Sequence, residues 1–132
     1  MKRYLIDTHI WLWWHMAPEK IQPEYFEIIE NGDNEILFST VSAWEIVIKY
    51  NLGKLKLPFP PKEYIPKRLE VSFMEVLPVQ LEHTLKVQEL PNFHNDPFDR
   101  LLIAQALAEK LVVITEDQQF EMYHEKLGLR KR

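Results

Sequence analysis

Apolar residues along this chain fall into short continuous runs, separated by stretches in which they recur every three to four positions. A short apolar run reads as a buried strand, and the wider spacing as an amphipathic helix. Tyr4-Leu5-Ile6, Glu35-Ile36-Leu37-Phe38, Met74-Glu75-Val76-Leu77 and Leu111 to Thr115 are the predicted strands. Helices are predicted over His9 to Met16, Pro23 to Glu30, Val41 to Asn51, Leu81 to Leu90, Pro97 to about Glu109 and Gln118 to Lys126. Pro18 ends the first, Gly53 stops the third, and Pro23 and Pro97 sit where a first helical turn tolerates proline. Asn31-Gly32-Asp33 is a turn, Pro91 to Asn95 a loop and Pro58 to Pro61 a rigid connection. The shorter helix after that connection is expected to break near Pro66, because an interior proline removes a backbone donor.

Strands that alternate with helices imply a largely parallel sheet covered on both faces. The 132 residues fit one domain, residues 1–132, large enough to bury a core. A composition 46% hydrophobic and 27% charged is that of a soluble globular protein. The absence of cysteine excludes disulfides and thiolate-metal sites, so any metal is held by oxygen and imidazole ligands. That donor set favours magnesium or manganese over structural zinc. The first apolar run meets Asp7 too early for a secretory signal, and no run is long enough to span a bilayer. A cytoplasmic location with no membrane contact is expected.

Charge sharpens the picture. The net charge of −4 argues weakly against nonspecific nucleic-acid coating. Locally, Lys49, Lys54, Lys56, Lys62, Lys67 and Arg68 form a basic stretch interrupted only by Glu63. Alone, such a run is best read as a solvated helix face; beside an acidic cluster, a rim that holds phosphates gains weight. The acids supply that cluster. In open α/β sheets, ligands bind beyond the carboxyl ends of the strands. Asp7 follows the first strand, Asp117 follows the fourth, Glu45 lies in the helix after the second, and Asp96 and Asp99 open the helix leading into the fourth.

Each acid also has an ordinary structural explanation. Asp96 before Pro97 is a standard helix N-cap, and capping is the better account of it. Asp99 would then occupy the third helical position, favourable for the helix dipole. Capping explains it less well, because it stands just ahead of the apolar Leu101-Leu102-Ile103 face. For Glu45 two readings stay balanced: Ser42-Ala43-Trp44-Glu45 fits a capping box, whereas a helix capped by Ser39 or Thr40 makes Glu45 an interior acid in need of a partner. Asp7 and Asp117 each fit a turn, with Thr8 an alternative cap for the first helix. All of them being structural is less plausible than a shared metal cluster. Among the histidines, His94 and His9 stand near the acids, with His94 read as a loop or supporting residue; no zinc-protease spacing occurs, and three glycines leave no phosphate loop. The Ile10-Trp11-Leu12-Trp13-Trp14 stretch is apolar all round its helix, which suits a core first and a subunit interface second.

At these residues the chain resembles PIN-domain ribonucleases, and more narrowly the VapC-type toxins of type II toxin–antitoxin pairs. The resemblance runs from Leu5-Ile6-Asp7-Thr8-His9 through Ser42-Ala43-Trp44-Glu45-Ile46 and the specific stretch His94-Asn95-Asp96-Pro97-Phe98-Asp99-Arg100-Leu101-Leu102-Ile103-Ala104-Gln105-Ala106 to Val113-Ile114-Thr115-Glu116-Asp117. It implies a three-layer α/β/α domain with a mainly parallel sheet of four to five strands. The family's four acids fall on Asp7, Glu45, Asp99 and Asp117, the last with Glu116 adjacent, and Asp96 belongs to the same motif as a further candidate ligand. The stretch from Lys126 to Arg132 has little apolar content for a fifth strand. The implied chemistry is hydrolysis of RNA by water activated on one or two magnesium or manganese ions. Thr8, Lys49 and Arg100 are candidates for holding substrate. A small antitoxin partner and a homodimer are also implied. Two other readings compete: a PIN scaffold that binds partners with little catalysis, and a haloacid dehalogenase-like phosphatase using Asp7. That phosphatase chemistry usually wants an aspartate where this chain has His9.

Overall fold

The computed structural model describes residues 2–92 and 95–127. Strands β1 (Arg3–Ile6), β2 (Glu35–Ser39), β3 (Glu75–Leu77) and β4 (Val112–Ile114) form one sheet in the order β3-β2-β1-β4. All three pairings are parallel; Leu5 lies opposite Leu37 on one side and Val113 on the other. Seven α-helices accompany the sheet among the described residues: α1 (Thr8–Met16), α2 (Pro23–Glu30), α3 (Thr40–Asn51), α4 (Pro61–Ser72), α5 (Leu81–Lys86), α6 (Pro97–Glu109) and α7 (Gln119–Leu127).

Successive strand residues point to opposite faces, and the chain fills both. Tyr4, Ile6, Ile36, Phe38 and Ile114 join Ile10, Trp11, Ile46, Tyr64 and Ile65 in one core. Leu5, Leu37 and Val113 join Leu102, Ile103, Leu111, Phe120 and Tyr123 in the other. Helix α3 contributes Val41 to one core and Ile46 to the other, so it straddles the sheet edge. Trp11 is fully buried against Phe38 and Tyr64, as a core residue; Trp13 and Trp14 are only partly covered, and Trp44 is 59% exposed.

Two expected boundaries are corrected. Helix α4 does not break at Pro66 but continues through it to Ser72. Pro66 is exposed, and its bulk falls where the missing donor leaves only the carbonyl of exposed Lys62 to water. The stretch Leu81 to Leu90 divides into α5 and a 3-10 turn over Val87–Glu89. His94 and the residues from 128 onward, where a fifth strand was in question, lie outside the described residues.

The topology sets the place for chemistry. From β1 the chain adds β2 and then β3 on one side, and returns to place β4 on the other side of β1. The connections therefore diverge above the carboxyl ends of β1 and β4, leaving a crevice between them. Asp7 and Thr115 are the first residues beyond those two strand ends.

Candidate functional site

The register that pairs Ile6 with Ile114 sets Asp7 against Thr115. Asp7 is buried and caps α1: its Oδ1 accepts the His9 N–H at 3.1 Å, while its Oδ2 accepts the Thr115 hydroxyl at 2.6 Å. Thr115 Oγ1 in turn accepts the Asp117 N–H at 3.0 Å, and the Thr115 carbonyl accepts the Tyr25 hydroxyl at 2.7 Å. One hydroxyl thus holds the acids of β1 and β4 in fixed relation. Asp117 accepts the Gln119 N–H at 2.9 Å, which turns the chain into α7. Burial pushes the Asp7 carboxyl up, against the hydrogen bonds from Thr115 and His9 that hold it down.

Glu45 is an interior acid. Ser39 caps α3, accepting the Val41 N–H at 3.0 Å, and the helix starts at Thr40, which removes the capping-box reading. Glu45 is 3% exposed; its Oε2 accepts Lys49 Nζ at 2.8 Å, and its Oε1 is buried with no hydrogen-bond partner. An unsatisfied buried carboxylate oxygen is costly, so something cationic is wanted at that atom. Lys49 is the neighbouring cation, one helical turn on. Its hydrogen bond to Glu45 raises its pKa, and Asp96 and Asp99 add to the effect.

Asp96 is the N-cap of α6, its Oδ1 accepting the N–H groups of Phe98 and Asp99 at 2.9 and 3.3 Å. Asp99, half-buried in the first turn, carries the largest consequence. Burial, then repulsion from Asp96, Asp7, Glu45 and Asp117, pushes its carboxyl up to about 8. Those repulsions bring acids from four separate chain segments to bear on one group. The pocket is strongly anionic, with Lys49 as its adjoining positive charge.

Two candidate substrate residues hydrogen-bond to the protein's own frame. Thr8 is buried and its hydroxyl donates to Ser42 at 2.7 Å, tying α1 to α3. Arg100 donates to the Pro91 carbonyl at 3.0 Å and toward that of Val87 at 3.5 Å, bracing the segment ahead of α6. Thr115 is the residue missing from the sequence-based site. Its signal was positional: Leu5-Ile6-Asp7 and Val113-Ile114-Thr115 are aligned strand ends.

A tighter group of potential ligands lies elsewhere, at Glu82, His83 and Glu109, with ligand atoms within 4.8 Å of one another. His83 is fully buried and already uses both ring nitrogens. Nδ1 accepts the Gln80 N–H at 3.0 Å, and Nε2 pairs with Glu109 at 2.9 Å. That constellation locks α5 onto α6 and caps α5. The carboxylates at the sheet crevice are a second candidate for a metal, because Glu45 Oε1 is buried without a hydrogen-bond partner and the surrounding negative charge adds to burial in pushing the Asp99 carboxyl up.

Comparison with known proteins gives this geometry a context. The family model described as PIN domain matches residues 4–126. Ribonuclease VapC16 of Mycobacterium tuberculosis is 44% identical over 57 residues, a match spanning 43% of this chain and only 40% of that protein. Ribonuclease VapC22 of the same organism is 23% identical over 124 residues, 93% of each chain. A crystal structure of VapBC-5 from M. tuberculosis, a member of the VapBC family of toxin-antitoxin systems, covers 99% of this chain and 98% of its own with a TM-score of 0.61. At 17% identity that likeness is one of fold.

Proposed function

The chain belongs to the PIN domain family, and from that premise we propose that it is a metal-dependent endoribonuclease, the toxin of a type II toxin–antitoxin pair. The observation that carries the reading is the buried Glu45 Oε1 without a hydrogen-bond partner, in a crevice where burial and the charges of Asp96, Asp7, Glu45 and Asp117 push up the carboxyl of Asp99. Such a group ionises at neutral pH only when a cation offsets the surrounding charge. Two curated relatives are named ribonucleases, which supports RNA as the polymer.

The residues present suit a hard divalent cation. All the donors are carboxylate oxygens, and Glu45 Oε1 lies buried without a partner. Asp7, Glu45, Asp99 and Asp117 would hold magnesium or manganese, with Asp96 capping α6 beside them. Bound there, the ion would supply the positive charge that activates water and stabilises the leaving oxygen of a phosphodiester. The protein's own groups do the rest. Thr115 holds the Asp7 carboxylate in orientation, Lys49 neutralises Glu45 and stands ready for a phosphate oxygen, and Asp99 accepts a proton when no cation is present. The haloacid dehalogenase-like alternative has no support from the family match.

An antitoxin is the proposed regulator, supported by the likeness of fold to VapBC-5, a member of a family of toxin-antitoxin systems. A second copy of the chain is a further proposed partner, supported by the exposed Trp44 on α3, whose ring meets Phe98 edge-on at 5.2 Å. Among the described residues, no helix is long and apolar enough to cross a membrane.

The test is cleavage of a pool of cellular RNAs by the parent protein and Asp99→Asn, each with magnesium, manganese or EDTA. Metal-dependent cleavage lost in the variant is the expected result. Absence of cleavage by folded parent protein at stoichiometric amounts would favour the partner-binding scaffold. Equal cleavage by both proteins would sink the site assignment. Added cognate antitoxin is expected to suppress the reaction.

A further inference from the structure

A cavity of about 410 Å³ opens beside the carboxylate pocket, between α1 and the C-terminal half of α3. It adjoins the acids directly: Thr8 and His9 follow Asp7 in sequence, and Lys49 lines the cavity while its Nζ holds Glu45 at 2.8 Å. Its character is opposite to that of the acid pocket. Lys20 reaches it from the turn after α1, Lys49 and Lys54 from the end of α3 and the turn just beyond it, and Leu12, Trp13 and Leu55 give it apolar walls. Lys20 Nζ stands 6.0 Å from the centre of the Trp13 ring. Among the described residues, no carboxylate pairs with Lys20 or Lys54.

We propose that this cavity is a nucleotide subsite, holding the RNA residue next to the scissile phosphate. The inference rests on the nuclease reading above and assigns it a substrate-binding surface that the acids alone lack. A phosphodiester backbone approaching a chain of net charge −4 needs local cations, and here they converge beside the acids rather than across the molecule. Lys20 and Lys54 take the flanking phosphates. The base lies against the Trp13 indole, a platform suited to any base because every base has a π-face. Lys49 stands between the two pockets, so a phosphate leaving the lysine cavity meets it before reaching the acids. The volume lies within the range of small-ligand pockets, roughly 300–1,000 Å³.

Lys20→Ala/Lys54→Ala is the decisive variant, because both side chains are exposed and removing them leaves the core intact. Cleavage of a single-stranded RNA is measured across salt concentrations, with Lys62→Ala/Lys67→Ala on α4 as the control. The lysine-cavity variant is expected to raise KM roughly tenfold with kcat nearly unchanged, and to make the salt dependence of binding shallower by about 1.4, or about 0.7 per phosphate contact. Binding of a hexanucleotide and of its abasic counterpart, with Trp13→Leu and Trp13→Phe, tests the base contact. Leucine is expected to weaken only the base-bearing oligomer, and phenylalanine to restore it. If the parent cleaves RNA and both lysine pairs behave alike, the subsite is wrong while the nuclease reading stands. If the parent cleaves no RNA, both fall. Unchanged RNA kinetics with weakened suppression by the antitoxin would overturn the proposal and give the cavity to an acidic segment of that partner.

Discussion

Replacing Asp99 with asparagine is expected to stabilise the metal-free protein while removing its response to metal. The carboxyl goes from a reference value of 3.8 to about 8 in the folded chain. Its folded pKa therefore lies above its unfolded one, and the native state binds more protons across that interval. Stability from this group is fully present below about pH 4 and is lost as pH rises through about 8. Each unit corresponds to about 1.4 kcal/mol, so a ceiling of roughly 6 kcal/mol follows for a group wholly withdrawn from water. Asp99 is only half-buried, and solvent screening reduces this to about 2 kcal/mol. Asparagine keeps the shape and removes the charge. At pH 8 in EDTA, the variant is expected to melt about 5–10 °C above the parent, and at pH 4 at the same temperature. Millimolar magnesium or manganese is expected to raise the parent and leave the variant unmoved. His15 acts in the opposite sense: burial, then Arg68, lowers it to about 4, so it withdraws stability as pH falls from about 6.5. The difference between variant and parent at each pH is therefore the quantity to read. A pH-independent difference, or a variant less stable at pH 8 in EDTA, would refute the idea that crowded carboxylates demand a cation.

Three further outcomes follow from the same geometry. Thr115→Val removes the donor to Asp7 and the acceptor for the Asp117 N–H, and is expected to cost about 1–3 kcal/mol in urea denaturation and to weaken metal binding in calorimetry; an unchanged metal affinity would deny Thr115 its orienting role. Glu45→Gln keeps the volume but loses the charge facing Lys49, and metal affinity is expected to fall at least roughly tenfold, with equal affinity in both proteins ruling Glu45 out as a ligand. Phe73→Gly is expected to stabilise the fold by about 1 kcal/mol, because Phe73 ends α4 at φ 58° with its ring 91% exposed; urea midpoints measure it, and a lower midpoint for glycine would mean that the ring has a partner.

Most of the framework was legible because it depends on local signals. Apolar runs gave the strands, Pro23 and Pro97 marked helix starts, and Asp96 read correctly as a cap. Pro66 misled because proline's cost is a single donor and a steric bend, which tertiary burial of Tyr64 and Ile65 outweighs. Glu45 stayed ambiguous in the sequence because two adjacent capping patterns differ by only a few residues. Thr115 was beyond local reading, as were the internal partners of Thr8 and Arg100. Their roles depend on which strand pairs with which and on atoms far apart in the chain, as in the contact between Thr115 and Asp7, 108 residues apart. The lysine cavity was legible in part: Lys49 and Lys54 belong to the basic stretch seen in the sequence, whereas Lys20 joins them only through the packing of α1 against α3.

The strand order also bears on how the crevice is assembled. Asp7 and its partner Thr115 stand 108 residues apart, and β4 must pair with β1 to unite them. A chain lacking residues 111–117 has no second wall to the crevice and no hydroxyl to orient Asp7. The carboxylate pocket is therefore a product of one long-range pairing and not of any local segment, and whatever chemistry it performs waits until the loop between the two strands has closed.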